Sequence, residues 1–172
     1  LDYSIQISKL FYGRFISNGE ISLFSPGDVP GLYDAFGQPE FDAMYENYEA
    51  SDIPRKTVKA QELFLNLMKE RAETGRIYIM NLDHCNSHSS FDVPVYMSNL
   101  CQEITLPTRP LNHIDDENGE IALCILSAIN VGKINNLEEL KPLCDIAVRG
   151  LDALIDYQGY PVKCAESATK AR

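Results

Sequence analysis

The sequence contains no tryptophan, no cluster of lysine or arginine, no Cys-x-x-Cys pair and no apolar run that approaches the length of a membrane helix. The last three of these absences each close a class of function. With 15 Lys and Arg against 25 Asp and Glu, the formal charge is −10 and the pI near 4.7. Such a chain lacks the cations that displace counterions from a nucleic-acid backbone, so a nucleic acid is not an expected partner. A membrane helix needs roughly 20 apolar residues, and no charged segment followed by an apolar one opens the chain, so no membrane partner and a cytoplasmic protein are expected. The five cysteines, Cys85, Cys101, Cys124, Cys144 and Cys164, are odd in number and widely spaced, which fits reduced thiols rather than a disulfide framework. What is present is a 45% hydrophobic complement, enough for a sizeable core in a chain of 172 residues. Leu rather than Met stands at position 1, and Lys170-Ala171-Arg172 closes the chain without a cap or turn, the pattern expected of a piece of something longer.

The residue pattern reads as α/β with long loops. Residues 1–24 show no clean period, apart from a short extended piece at 21–24, and the Pro/Gly cluster at 25–31 breaks the chain. Residues 32–50 suit two short helices interrupted at Gly37-Gln38-Pro39. Helical spacing of Val58, Phe64, Leu67, Met68 and Ala72 predicts a helix over 55–74 with Gly75 just beyond it, and 76–80 predicts a buried strand. Residues 81–94 read as irregular, 97–106 as extended, and 120–131 as a buried strand entered through a polar turn whose Asn118-Gly119 pair suits positive φ. The strongest pattern is a helix over 137–158, capped by Asn136 with Glu139 at the third position. Cys144 falls on its apolar face and is expected in the core, while Cys164 lies in a polar terminal stretch with no assigned chemistry.

Chemistry concentrates in Ser98-Asn99-Leu100-Cys101-Gln102-Glu103-Ile104. In extended backbone, side chains alternate, so an amide (Asn99), a thiol (Cys101) and a carboxylate (Glu103) would share one face, with Leu100 and Gln102 on the other. Taken alone, N-x-C-x-E is short enough to recur by chance. Asp83-His84-Cys85 with His88 suggests a metal site, but no second Cys/His pair stands at a suitable spacing, so no metal is expected. Residues 115–120 lack the alternating oxygen ligands of a calcium loop, and His113 reads as an exposed loop residue.

Matches at several places, in order along the chain, change the weight of that short motif. They are Leu23-Phe24-Ser25-Pro26 with Asp28-Val29-Pro30-Gly31-Leu32, Thr74-Gly75-Arg76-Ile77-Tyr78, Asp83-His84-Cys85-Asn86, Ser98-Asn99-Leu100-Cys101 with Glu103, Leu106-Pro107-Thr108, residues 117–124, and Leu151-Asp152-Ala153-Leu154. On these residues the chain resembles the large, catalytic subunit of class I ribonucleotide reductase. The resemblance implies that residues 1–172 are part of that subunit's ten-stranded α/β barrel, with N- and C-terminal parts missing, and that a finger loop carries a radical cysteine.

The implied reaction replaces the 2′-hydroxyl of a ribonucleoside diphosphate by hydrogen. Cys101 matches the cysteine that becomes a thiyl radical and abstracts the 3′-hydrogen. Glu103 matches the carboxylate that takes the proton of the 3′-hydroxyl, and Asn99 the amide that orients the substrate hydroxyls. Ser98, Asn99, Leu100, Cys101 and Glu103 would thus line the substrate site. Cys124 matches one half of the redox-active cysteine pair, whose partner the family places well before this segment. The same resemblance implies a small subunit with a di-metal radical source, a large-subunit homodimer, and thioredoxin or glutaredoxin as external dithiol. ATP and deoxynucleotide effectors would bind outside this segment, and no cofactor within it. Asp83 to Asn86 would play a structural part at the end of a barrel strand. The 172 residues alone are expected to form no deoxynucleotide. The alternative is a catalytically inactive split-subunit or scaffold piece acting as an interaction module.

Overall fold

A computed structural model describes residues 3–171, which divide into two compact units, the first ending at Pro107 and the second beginning at Thr108. In the first unit, β1 (Tyr3–Ile7) runs parallel to β4 (Ile77–Asn81), with Tyr3 opposite Ile77 and Ile7 opposite Asn81. A second pair is antiparallel, β2 (Glu20–Phe24) against β3 (Arg55–Lys59). Between these strands lie α1 (Lys9–Ile16), α2 (Leu32–Ala35), α3 (Phe41–Glu49) and α4 (Ala60–Thr74), and α5 (Leu82–Ser87) follows β4 directly. The parallel β1–β4 pair with helices between its strands is the α/β layering expected of the sequence. Among the described residues the strands form two two-stranded sheets and close no barrel.

The core of this unit explains the element choices. Ile7, Phe11, Ile21 and Ala60 are buried together, with Phe15, Val58 and Phe64 packed around them. Each buried isoleucine or phenylalanine among them contributes about 1.5–3 kcal/mol by leaving water. A second cluster joins Ala35, Phe41 and Tyr45, and a third joins Met80, Leu82 and Val95. Gly75 takes φ +68° and caps α4 as expected. The predicted helix over 55–74, however, begins only at Ala60. Residues 55–59 are a strand, because Lys56, Thr57 and Val58 find backbone partners in Leu23, Ser22 and Ile21, a pairing that helical periodicity alone cannot reveal. Helix α5 replaces part of the stretch read as irregular, and β1 and α1 emerge from residues read as lacking a period.

Helix α1 is tied to α3 by an ion pair. Arg14 Nη1 and Nη2 donate to Glu49 Oε1 and Oε2 at 2.6 and 2.5 Å, and the guanidinium lies 5.3 Å from the centre of the Tyr45 ring. The two side chains are 22% and 19% exposed, so neither charge is well solvated. Burial alone would raise the Glu49 carboxyl, but the Arg14 hydrogen bonds and charge hold it below its ordinary 4.5. A depressed carboxyl stabilises the fold above its unfolded pKa and loses that contribution as pH falls through the folded one. Glu49→Ala is therefore expected to cost about 2 kcal/mol at pH 7 by leaving a half-buried guanidinium with only the Glu20 carbonyl at 3.0 Å and the more distant, exposed Glu46 carboxylate at 3.8 Å. Urea unfolding across pH checks this, and the gap from wild type should narrow as the pH drops below 4.5.

In the second unit, Asn136 caps as predicted: its side chain accepts from the Glu138 and Glu139 amides. A short 3₁₀ turn over Leu137–Glu139 leads into α6 (Leu140–Tyr157), and α7 (Lys163–Ala171) follows. Two expectations fail here. No residue of α6 is buried, and Cys144, expected in the core, is exposed. Cys164, by contrast, is 2% exposed on α7 beside buried Ala165 and Ala168. The predicted strand over 120–131 is also absent. Only Glu120 makes a bridge, to Arg109, and residues 121–130 have no regular structure. That run is apolar on both faces, the composition of a strand buried on both sides, but no described strand runs beside it to complete a ladder.

The polar turn before it has a different driver from the one its Asn-Gly pair suggests. Neither Asn118 nor Gly119 takes positive φ. Instead the Asp116 carboxylate, 5% exposed, accepts from the Asn112 amide at 3.0 Å, the Asn112 side chain at 2.9 Å and the Asn118 amide at 2.9 Å. Those hydrogen bonds to the charged form pull its pKa down to about 2. His113 is exposed, as expected.

Candidate functional site

After α5 the chain runs without regular structure past Val95, which is fully buried, and turns back on itself over residues 98–104. The Asn99 carbonyl accepts from the Gln102 amide at 3.1 Å, and Gln102 takes φ +62°. A left-handed conformation in a non-glycine residue costs roughly 1–2 kcal/mol and persists only where surrounding bonds over-determine it. Two such bonds close the base of this loop. The Ile104 amide donates to Asn99 Oδ1 at 3.1 Å, and Ser98 Oγ donates to the Ile104 carbonyl while lying 3.1 Å from Asn99 Oδ1.

The alternation that placed Asn99, Cys101 and Glu103 on one face of a strand is therefore corrected. The segment is a tight loop, because side-chain amide and hydroxyl groups satisfy the backbone locally and no strand among the described residues pairs with it. Two of the predicted groups nevertheless meet. Asn99 Nδ2 donates to Glu103 Oε1 at 2.6 Å across the loop. Cys101 sits at the turn itself and is exposed. Leu100 is also exposed, at 71%.

Beside the loop is a cleft of about 480 Å³, lined in part by Gln6, Tyr78, Ser98, Asn99, Leu100 and Gln102. Cys101 and Glu103 lie outside that lining, so the structure divides the predicted substrate residues between the cleft and the loop's outer face. Gln102, expected to point away from the chemistry, faces the cleft, and its Oε1 is buried without a hydrogen-bond partner among the described protein atoms. Sequence reasoning missed Gln6 and Tyr78 altogether. Their approach to the loop depends on the β1–β4 register, which pairs residues more than 70 positions apart and leaves no local signal.

Cys124 is exposed in the irregular stretch of the second unit. Cys85 is half-buried against Met80, Leu82 and Val95, and burial pushes its thiol pKa up, which suits an inert packing thiol. Asp83-His84-Cys85-Asn86 occupies α5 directly after β4, the strand-end position expected of it. Among the described residues no group of three or more His, Cys, Asp or Glu side chains could hold a metal ion, and no helix is long and apolar enough to cross a membrane.

Comparison with known proteins gives this geometry a context. Residues 1–172 match the family model for the ribonucleotide reductase barrel domain. The ribonucleoside-diphosphate reductase subunit alpha of Haemophilus influenzae is 61% identical over 178 residues, an alignment that covers 100% of this chain and 24% of that protein. The ribonucleoside-diphosphate reductase 1 subunit alpha of Escherichia coli is 59% identical, with 100% and 23% covered, and the subunit alpha of Enterobacteria phage T4 is 41% identical, with 100% and 24% covered. The chain thus spans about a quarter of the length of the curated relatives it matches.

Proposed function

This chain belongs to the ribonucleotide reductase barrel-domain family, and on that premise we propose that it carries part of the active site of a ribonucleoside-diphosphate reductase large subunit. The observation that supports this reading best is the 2.6 Å hydrogen bond between Asn99 and Glu103 across a loop whose turn presents Cys101. An amide, a carboxylate and a thiol are then within one loop, held by bonds that do not involve the thiol.

In the proposed reaction a thiyl radical on Cys101 takes a hydrogen atom from C3′ of a ribonucleoside diphosphate, and the Glu103 carboxylate takes the proton of the 3′-hydroxyl. Asn99 fixes Glu103 and orients the substrate hydroxyls. The 2′-hydroxyl then leaves as water. Cys124 and a partner thiol supply the two electrons and protons this requires and become a disulfide. Cys101 finally returns its hydrogen atom to C3′, which regenerates the thiyl radical, and Glu103 returns its proton to the 3′-oxygen, which restores both the 3′-hydroxyl and the carboxylate. An external dithiol protein of the thioredoxin or glutaredoxin type reduces the disulfide. A small subunit with a di-metal centre supplies the initial radical.

Glu103→Gln in the full-length subunit tests the acid–base part of this reading. A Gln carbonyl can still accept from Asn99 Nδ2, so the loop should keep its shape while losing its base. With the small subunit and a dithiol reductant present, kcat is expected to fall about a hundredfold or more with KM changed less than about threefold, the usual worth of a general base. Undiminished kcat would overturn the assignment.

A further inference from the structure

The hydrogen bonds that shape the 98–104 loop are all internal to it: Ser98 with Ile104, Asn99 with Gln102, Glu103 and Ile104. They define its form and say nothing about where it stands. The segment that leads into it has no strand or helix to hold it from residue 88 to the loop itself. Val95 packs in the core with Met80 and Leu82, the Tyr96 ring stacks on Tyr33, and hydrogen bonds from side chains of other elements converge on these same two residues.

Asn86 on α5 makes the larger contribution. Val95 N donates to Asn86 Oδ1 at 2.7 Å, and Asn86 Nδ2 donates to the Val95 carbonyl at 3.0 Å and to the Gly37 carbonyl at 3.2 Å. One side chain thus satisfies both backbone groups of a residue with no exposed surface. The same amide reaches back to the chain between α2 and α3, where Gly37 takes φ +77° and a Cβ would stand 2.9 Å from Asn86 Nδ2 and 2.6 Å from Leu82 Cγ. The next residue, Tyr96, is held from β1, whose Gln6 Nε2 donates to its carbonyl at 2.6 Å. Ser98 follows only two positions later.

We propose that Asn86 is a positioning residue for the reductase chemistry: by clamping Val95 to α5 and to Gly37, it sets where the loop bearing Asn99, Cys101 and Glu103 stands. The proposal rests on the function proposed above for those three residues. Asn86 touches neither Cys101 nor Glu103 and acts through the backbone between them.

The test uses the full-length subunit with its small subunit, comparing Asn86→Ala with a control, Tyr12→Phe, which removes another side-chain bond of the same unit, from Tyr12 Oη to Asn81 Oδ1 at 2.8 Å. Hydrogen exchange is read at the Gln102 and Ile104 amides, which donate to Asn99 and not to Asn86. In Asn86→Ala those two amides are expected to exchange about tenfold faster, while the β1 and β4 amides of Ile5 and Ile79 stay within about twofold, because the loss of buried hydrogen bonds frees the loop without opening the sheet. Turnover per folded subunit should fall about tenfold with KM nearly unchanged, whereas Tyr12→Phe should change neither loop exchange nor turnover. Exchange that rises equally in the loop and in β1 and β4 would overturn the proposal, as would a freed loop with wild-type turnover or an unchanged loop. If instead Cys101→Ser retains reduction, the functional reading fails, and the exchange result then stands as a statement about loop placement alone.

Discussion

Cys101→Ser in the full-length subunit is expected to reduce deoxynucleotide formation to background while leaving the fold intact. The expectation combines a chemical and a structural step. Sulfur is soft, and its S–H bond is close in strength to the ribose C3′–H bond, so a thiol can give up a hydrogen atom, take one from the substrate and later return it. A serine O–H bond is much stronger, and an oxygen at the same position cannot pass the hydrogen back. On the structural side, Cys101 is exposed, and none of the bonds that hold the loop uses its sulfur. An exposed Cys→Ser exchange outside such bonds changes stability by no more than about 0.5 kcal/mol. Urea unfolding should therefore coincide with wild type, and exchange at the Gln102 and Ile104 amides should be unchanged. Product formation from a ribonucleoside diphosphate is the deciding measurement, and a variant that still makes deoxynucleotide would refute the radical role.

The loop also shows what in this protein is legible from sequence and what is not. Local devices read correctly: the Asn136 cap, the left-handed Gly75 at the end of α4, and the break at Gly37-Gln38-Pro39 all act through groups within a few residues of each other. Pairings over distance do not. Residues 55–59 carry helix-compatible spacing and become a strand because β2 lies alongside them, and β1 is a strand because β4, more than 70 residues away, completes it. At the candidate site the residue types were readable but the reason for their spacing was not. Asn99 and Glu103 meet through a turn with Gln102 at positive φ, not through strand alternation, and the same turn carries Gln102 into the cleft. The opposite error occurs at 121–126, where a buried-strand composition has no ladder partner among the described residues, and on α6, where no residue of the apolar stripe is fully buried and Val148 and Leu154 are exposed. Composition records what a segment is suited to pack against. It does not supply the partner.

Cys124 lies in that unpaired stretch, and it carries the second large expected effect. The proposed reaction needs two electrons for each 2′-hydroxyl replaced, and a dithiol supplies them by becoming a disulfide. In a pre-reduced full-length subunit given substrate and small subunit but no external reductant, wild type should lose two thiols for each deoxynucleotide formed. Cys124→Ser removes one member of the pair, so it should form no deoxynucleotide in this assay and lose no thiols. Adding thioredoxin should not restore turnover, because there is no disulfide to reset. Cys144 is the internal control. It is likewise exposed, on α6, and has no proposed chemistry, so Cys144→Ser should keep both product formation and the loss of two thiols per product. Thiol counting sets Cys124→Ser apart from Cys144→Ser; Cys101→Ser also loses no thiols, but it stops the reaction at hydrogen abstraction, whereas Cys124→Ser leaves abstraction possible and removes the electrons that complete it. Full thiol loss with product in Cys124→Ser would move the redox pair to other cysteines of the subunit and leave Cys124 as an ordinary exposed thiol.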